Sequence, residues 1–347
     1  MPRLIAIKEA QQLDNPIYID LRSPSEYEIG RVPGAVNIPL FTDEERSEVG
    51  TLYRQCGPEL AKDRGLAIVS PRLHAMVNAI QTYASCKRPV IVYCWRGGMR
   101  SGSVATVLEL MGITVYRLSG GYKAYRQYVL EQLSQFSLRP QIVVLCGSTG
   151  VGKTTLLQML SKADEAVIDL EGLANHRGSA FGHVGLGKPS TAQNFDAMLL
   201  QELFRANVSP TLLVECESKR IGNVYLPEFL YQAMQHGKRI LVSASLETRV
   251  ERLIQEYLQV GAGSDQAIIA SIQSLTKRLG AKHTQHLIEY YQLGRINEVV
   301  ETLLIEYYDP LYGYEQPDSA SYDFCVNADD LEQAASEIQR YIVSLGR

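Results

Sequence analysis

The sequence feature that most constrains the fold is a glycine-rich segment, GSTGVGKT, at residues 147–154. It matches the pattern G-x-x-x-x-G-K-[ST], in which backbone amides and a lysine surround phosphate groups. The apolar run QIVVLCG (residues 141–147) predicts a strand before it, and TLLQMLSKA predicts a helix after it. This order predicts an α/β domain whose loop binds a diphosphate or triphosphate.

The pattern assigns roles to individual loop residues. The glycines permit the tight backbone, Lys153 reaches a terminal phosphate, and Thr154 is the candidate ligand of a magnesium ion. The predicted phosphate-binding residues are Gly147, Ser148, Thr149, Gly150, Val151, Gly152, Lys153, Thr154 and Thr155. Four carboxylates follow nearby predicted strands: Asp169, Glu171, Glu215 and Glu217. They could assist a metal ion or a water molecule, or they could be solvated strand ends, and the pattern leaves both open.

Further strands alternate with helices after the loop. AVIDLEG (166–172), TLLVECE (211–217) and RILVSAS (239–245) predict strands, and residues 248–308 predict helices. A last apolar run, YDFCVNA (322–328), predicts an edge strand before a closing helix. This alternation is typical of a parallel sheet with helices on both faces, here with a helical extension.

A second strand–loop–helix segment contains Cys94. The strand VIVYC (90–94) leads into a loop made of Trp95, Arg96, Gly97, Gly98, Met99 and Arg100, and we expect Ser101 to cap the next helix. Inward-facing amides, a helix N-terminus and two arginines would bind an anion and would favour a thiolate. Cys94 is therefore the predicted catalytic residue, although an inert cysteine at a strand end is the simpler alternative.

The segment DLRSPSEYEIGRVPGAVNIPL (20–40) resembles the first signature of the rhodanese family. Together with Cys94 it implies a rhodanese-like domain at residues 4–133, and a P-loop domain with an acidic C-terminal segment would occupy residues 140–347. In that family the loop cysteine carries a persulfide. Arg100 lies six positions after Cys94, whereas common rhodaneses have five. This wider spacing also occurs in cysteine phosphatases and suggests a phosphate-bearing donor.

The whole chain resembles the tRNA 2-selenouridine synthase family. The resemblance rests on YCWRGGMRSGS (93–103), GSTGVGKT (147–154), DLEGLANHRGSAFG (169–182), VECESKRIG (214–222) and YYDPLYGY (307–314). It implies that sulfur in 2-thiouridine at tRNA position 34 is replaced by selenium. Geranyl diphosphate would first alkylate the sulfur, and selenophosphate would then supply selenium, which Cys94 carries or delivers as a selenylsulfide. The P-loop would hold the diphosphate of the geranyl donor.

The implied partners are a tRNA anticodon stem-loop and an enzyme that supplies selenophosphate. The net charge of −4 does not exclude RNA, because residues 298–347 contain 2 basic and 11 acidic side chains and the rest of the chain is mildly basic. Candidate contacts to tRNA or diphosphate are His176, Arg177, Lys219, Arg220, Lys277, Arg278 and Lys282. Each of these side chains could instead lie on an ordinary solvated surface.

Other features predict a cytoplasmic protein that does not enter membranes. The first residues lack a signal-peptide pattern, no apolar run is long enough to span a bilayer, and the six cysteines lack zinc-site spacing. Two other interpretations stay open at this point. One is a rhodanese-type sulfurtransferase or cysteine phosphatase with a nucleotide-binding regulatory domain, and the other is a non-catalytic RNA-binding protein.

Overall fold

The computed structural model describes residues 2–177, 179, 181–182, 184–258, 265–312 and 321–345. The last two residues of the YYDPLYGY segment and Gly178 and Ala180 of the DLEGLANHRGSAFG segment lie outside these described residues. The chain divides into two compact units. The first contains residues up to Gln135 together with Asp196–Met198, and the second contains the remainder from Phe136 onward.

The first unit is built on a five-stranded parallel sheet. Its strands are β1 (Arg3–Ile5), β2 (Ile17–Asp20), β3 (Val36–Asn37), β4 (Val90–Tyr93) and β5 (Tyr116–Leu118), arranged in the order β1-β5-β4-β2-β3. Its helices are α1 (Ile7–Ala10), α2 (Pro24–Ile29), α3 (Asp43–Gln55), α4 (Pro58–Val69), α5 (Leu73–Ala84), α6 (Met99–Leu110) and α7 (Gly121–Ser134), with a 3-10 turn at Ser70–Arg72.

Burial explains why these runs form strands at the centre of the sheet. All four residues of β2 and of β4 are buried, as expected for parallel strands covered on both faces. Val90 and Val92 pack in one core with Ile80 of α5 and Leu108 of α6. The carboxyl ends of β2 and β4 therefore lie side by side, and Asp20 pairs in register with Tyr93, the residue before Cys94.

The second unit also has a five-stranded parallel sheet. Its strands are β6 (Gln141–Cys146), β7 (Val167–Ile168), β8 (Thr211–Glu215), β11 (Lys238–Ser243) and β12 (Phe324–Asn327), in the order β12-β11-β6-β8-β7, and β9 (Arg220–Ile221) pairs antiparallel with β10 (Val224–Tyr225). Its helices are α8 (Lys153–Lys162), α9 (Leu170–Ala174), α10 (Ala192–Ala206), α11 (Glu228–His236), α12 (Leu246–Leu258), α13 (Asp265–Ser274), α14 (Thr276–Leu279), α15 (Ala281–Gln292), α16 (Ile296–Leu303), α17 (Asp309–Tyr312) and α18 (Leu331–Leu345), with a π-helical turn at Leu304–Tyr308.

The sheet confirms the predicted α/β class and places the last predicted strand, β12, at an edge. The predicted strand at 166–172 is wrong in its second half, because only Val167–Ile168 pairs with β8. The Asp169 side chain accepts a 2.7 Å hydrogen bond from the Gly172 amide and so caps α9. An aspartate that caps a helix in this way ends the strand after two residues.

The helices from α12 onward form a separate apolar cluster within the second unit. Leu253, Ile272, Leu287 and Val299 are buried together there. Lys277 and Arg278 lie on α14, whereas Lys282 lies on α15. Gly280, with φ of +84°, separates the two helices. Within the described residues, no helix has the length and apolar character needed to cross a membrane.

Candidate active site: a cysteine loop and a phosphate loop

Cys94 lies directly after β4 and is buried, with 3% of its surface exposed. Its Sγ is 3.2 Å from the hydroxyl oxygen of Ser101, which lies in the first turn of α6. Gly98 occupies the N-cap position of α6, so the expectation that Ser101 caps this helix is wrong. The Ser101 hydroxyl is instead the polar group that touches the thiol.

The loop after Cys94 is shaped by the approach of the segment that opens α7. The Tyr122 amide donates to the Cys94 carbonyl and the Lys123 amide to the Trp95 carbonyl, both at 2.9 Å. A Cβ added at Gly121 would lie 2.2 Å from the Cys94 carbonyl oxygen, so no side chain fits there. This contact fixes the curvature of the loop from outside.

The amides inside the loop are available to a ligand. Those of Arg96, Gly97 and Gly98 donate no hydrogen bond to any part of the chain that the structure describes. Gly97 has a φ of +63°, which lets the backbone turn at the centre of the loop. Successive unpaired amides at a helix N-terminus form a binding site for an anion.

The two loop arginines contribute differently. Arg96 is exposed, whereas Arg100 is partly buried and donates to both carboxylate oxygens of Glu26, at 2.6 and 3.2 Å. Burial alone would raise the pKa of Glu26, but the hydrogen bonds and charge of Arg100 lower it below its ordinary value. The charge of Arg100 is therefore balanced within the protein by Glu26, which leaves Arg96 as the exposed arginine of the loop.

A fully buried cation, Arg22, lies beneath the loop. Its guanidinium donates hydrogen bonds to both carboxylate oxygens of Asp20, with 2.5 Å between Nη2 and Oδ2, and its guanidinium carbon is 4.0 Å from the centre of the Tyr122 ring. The same guanidinium is 6.0 Å from the ring of Trp95. Its Nη1 is buried without a hydrogen-bond partner among the described residues. Arg22 thus connects the first signature segment to the cysteine loop.

In the second unit, the phosphate loop follows the central strand β6. Gly150 and Gly152 have φ values of +84° and +95°, which residues other than glycine rarely adopt. The Lys153 ammonium donates to the carbonyls of Gly147 at 2.7 Å and Ser148 at 3.3 Å. The amides of residues 148–152 donate no hydrogen bond within the described ranges, so they can receive phosphate oxygens.

Helix α12 supports the phosphate loop from one side. Arg249 donates to the Thr149 carbonyl at 2.8 Å, and Arg252 donates to the Val151 carbonyl at 2.9 Å. Asp309 holds Arg249 in place through two hydrogen bonds of 2.6 and 3.0 Å. These two arginines bind carbonyl groups of the phosphate loop and so hold its backbone in place. The sequence shows them as an i, i+3 pair on an amphipathic helix, which by itself does not indicate this role.

A cluster of carboxyl groups lies at the carboxyl ends of β7 and β8. One oxygen of Glu215 accepts a 2.7 Å hydrogen bond from the Glu171 amide, and the other is buried without a partner among the described residues. Burial, then repulsion by Asp169, raises the pKa of Glu215 to about 8. Burial and the charge of Glu217 raise the pKa of Glu171 to about 8, and burial raises that of Glu217 to about 7. The positive charge of Lys153 opposes both of the latter shifts.

A magnesium ion bound at this loop would have to be held mainly by phosphate oxygens, because the described residues offer few protein ligands for it. No group of three or more acidic, histidine or cysteine side chains in the described ranges has metal-binding geometry. Magnesium commonly binds through one or two protein oxygens together with phosphate oxygens and water. Thr154 is exposed at the start of α8 and could supply one such oxygen.

The remaining candidate residues are engaged or exposed in the second unit. Arg177 pairs with Glu256 at 2.5 Å and donates to the Val184 carbonyl, and the His176 ring packs where Gly182 and Gly222 leave space. Lys219 pairs with Glu228. Of the four other candidates, Arg220 stacks on Tyr225, Arg278 stacks on Tyr307, and Lys277 and Lys282 are exposed.

Comparisons with known proteins match nearly the whole chain. A family model described as the tRNA 2-selenouridine synthase AAA domain matches residues 140–341, and one described as a rhodanese-like domain matches residues 4–128. A tRNA 2-selenouridine synthase of Pseudomonas syringae pv. syringae (strain B728a) is 35% identical over 331 residues, covering 87% of this chain and 89% of the relative. Relatives of the same name occur in Ectopseudomonas mendocina (strain ymp), at 36% identity with 88% of each chain covered, and in Pseudomonas putida (strain W619), at 33% identity with 96% and 97% covered.

Proposed function

Because the chain belongs to the tRNA 2-selenouridine synthase family, we propose that it replaces the sulfur of 2-thiouridine 34 in tRNA with selenium. The observation that carries this proposal is the presence in one chain of two anion-binding loops, one around Cys94 and one around Lys153. The first suits a small selenium-bearing anion, and the second suits a diphosphate. A tRNA anticodon stem-loop is the macromolecular substrate, and an enzyme that makes selenophosphate is the upstream partner.

In the first reaction the thiocarbonyl sulfur attacks C1 of geranyl diphosphate. The S–C bond forms, the C–O bond breaks, and diphosphate leaves with the electron pair while the base loses its N3 proton. We assign the departing diphosphate to the amides of residues 148–152 and to Lys153, since charge develops on its oxygens. Burial raises the pKa values of the Glu171 and Glu217 carboxyls toward neutrality, so these groups repel that charge less than ordinary carboxylates would.

Magnesium has a limited place in this step. If bound, a magnesium ion would neutralise charge on the diphosphate, and the Thr154 hydroxyl is the candidate side-chain ligand. Arg249 and Arg252 hold the loop carbonyls of Thr149 and Val151, so the amides keep their orientation as the diphosphate separates. We also assign contacts to RNA or diphosphate in this geranylation step to His176, Arg177, Lys219 and Arg220.

In the second reaction selenium replaces the alkylated sulfur at C2. The selenium of selenophosphate is already nucleophilic, so a C2–Se bond forms while the C2–S bond breaks and geranylthiolate leaves. Water then cleaves the P–Se bond and releases phosphate. We place selenophosphate in the loop from Trp95 to Arg100, with its selenium against Cys94. A selenylsulfide on Cys94 would need an additional oxidant and reductant, so the balanced step keeps selenium at the selenide level.

The two steps can be separated by mutation. In Cys94→Ser protein we expect geranylation of 2-thiouridine tRNA to continue and selenium incorporation to fall at least about 100-fold, because the selenium is no longer positioned against C2. In Lys153→Ala protein we expect geranylation to fall by a similar factor. Mass spectrometry of nucleosides from the tRNA measures both products. Loss of geranylation with retention of selenation in Cys94→Ser protein would contradict this assignment.

A further inference from the structure

The first unit contains an apolar cavity of about 670 Å³ beside the cysteine loop. It is lined by side chains of α3, α4 and α6, among them Tyr53, Leu66, Val69, Val104 and Val107. Gly98, Met99 and Arg100 of the cysteine loop form part of the same wall. The volume lies within the range of about 300–1,000 Å³ that is usual for small-molecule sites.

The apolar lining is not sealed inside the core. Leu66 is 66% exposed, Met99 56% and Tyr53 51%, so the cavity reaches the surface through large hydrophobic side chains. Such side chains gain nothing from facing water, and a cluster of them around a cavity marks a binding site for an apolar group. Because more than half of the surface of each of these three side chains is exposed, they contribute little to filling the core.

The charged groups of the cavity wall are cationic. Lys62, Arg100 and Arg117 are its charged members, and the first two are paired with Glu59 and Glu26. Arg117 Nε is buried and has no hydrogen-bond partner among the residues that the structure describes. A hydrocarbon group attached to a polyanion would satisfy both parts of this wall. Prenylated RNA has that chemistry, with an apolar chain next to phosphates.

We propose that this cavity holds the ten-carbon chain of S-geranyl-2-thiouridine during the selenium step, an inference that rests on the proposed function. Gly98, Met99 and Arg100 border both the cavity and the proposed selenophosphate position, so a geranyl chain in the cavity brings C2 of the base to the Cys94 loop. The cavity also receives the geranylthiolate when the C2–S bond breaks. It is therefore a leaving-group site within the rhodanese-like unit, distinct from the diphosphate site around Lys153.

The test compares two substrates with two cavity variants and a control. The full-length protein is given selenophosphate and an anticodon stem-loop that contains S-geranyl- or S-methyl-2-thiouridine, and 2-selenouridine formation gives kcat/KM for each. The unaltered protein should prefer the geranyl substrate by at least about tenfold, since even one methylene in an apolar pocket changes kcat/KM measurably. Leu66→Glu and Tyr53→Glu should each bring this preference close to one. Leu110→Glu, at a residue 82% exposed on α6 and outside the cavity, should retain it.

A binding measurement separates this inference from the proposed function. Trp95 is the single tryptophan and lies in the cysteine loop, so its fluorescence can follow binding of the S-geranyl-2-thiouridine nucleoside. We expect saturable binding that Leu66→Glu and Tyr53→Glu weaken and Leu110→Glu does not. Binding without conversion of the geranyl RNA would overturn the proposed geranyl route and keep the cavity. Equal preference and equal binding in all three folded variants, checked by their thermal unfolding, would overturn the cavity assignment.

Discussion

At the scale of single residues, burial decides which charges carry chemistry. Cys94 and Lys153 could be selected from their motifs, because a glycine-rich loop between a strand and a helix specifies the surroundings of each. The sequence named Glu215 among four candidate carboxylates, but it did not show that Glu215 and Arg22 are buried, since a charged residue in a sequence gives no sign that it is enclosed. Arg22 is fully buried against Asp20, and Glu215 is 3% exposed beside Glu171. The burial of these two residues was therefore identified only from their neighbours in the tertiary structure.

Glu215 predicts a dependence of stability on pH. Its folded pKa of about 8 lies above the ordinary value of 4.5, so the folded state retains a proton that the unfolded state loses. Stability should therefore fall as pH rises from about 4.5 to about 8, by no more than about 1.4 kcal/mol per pH unit from this group. Glu215→Gln, which cannot ionise, should lose less stability over that interval. Tm measured from pH 5 to pH 8.5 checks this, with Glu251→Gln on the exposed face of α12 as the control. The same Tm slope in Glu215→Gln and in the unaltered protein would contradict it.

At the scale of secondary-structure elements, the cysteine loop depends on a neighbour that is distant in sequence. The start of α7 donates two amides to the carbonyls of Cys94 and Trp95, and Gly120 and Gly121 allow this approach. The sequence signal for this contact is the segment SGGY at residues 119–122, which cannot be distinguished from the sequence of an ordinary turn. The strand–loop–helix order of β4 and α6 was predictable, because it depends on local periodicity alone.

The close approach at Gly121 can be tested against a second glycine of similar conformation. Gly121 and Gly112 have φ of +57° and +75°, but a Cβ at Gly112 would meet nothing within 4 Å. Gly112→Ala should cost about 1 kcal/mol of unfolding free energy from backbone strain. Gly121→Ala should cost at least about 1 kcal/mol more, because its Cβ would overlap the Cys94 carbonyl. Urea unfolding measures both variants, and equal losses would show that the loop tolerates displacement.

At the scale of the whole molecule, charge is distributed unevenly along a chain whose net charge is −4. Acidic residues are concentrated after residue 298, while Lys277, Arg278 and Lys282 are exposed on α14 and α15. Salt dependence of RNA binding reports how many phosphates a basic surface neutralises. The net charge of a protein does not report this number, so the distribution is the relevant quantity.

Replacing Lys277, Arg278 and Lys282 together with alanine should weaken tRNA binding and make it less dependent on salt. The slope of log K against log salt concentration should decrease in magnitude by about 2–3, at 0.7–0.9 per phosphate contact. A control that replaces Lys8, Lys162 and Arg205 removes the same charge from other exposed positions. Filter binding at several salt concentrations gives both slopes. If both triple variants lose slope equally, the effect belongs to total charge, and the contact assignment is wrong.

The sequence by itself determined the α/β class, the alternation of strands and helices that predicts parallel sheets, the two glycine-rich loop motifs and the family. Each of these depends on local features: apolar periodicity, glycine spacing and motif letters that keep their meaning without a neighbour. The family models that match both parts of the chain confirm that inference.

Only the tertiary structure decided which groups surround the chemistry. The contact of Ser101 with Cys94, the pairing of Arg100 with Glu26, the support of the phosphate loop by Arg249 and Arg252, and the apolar cavity all join residues from separate elements. Arg249 lies 100 positions from the carbonyl that it holds, at Thr149. Hydrogen bonding, charge pairing and exclusion of water act through distances of a few ångströms in space, and one chain does not encode those distances in its local pattern.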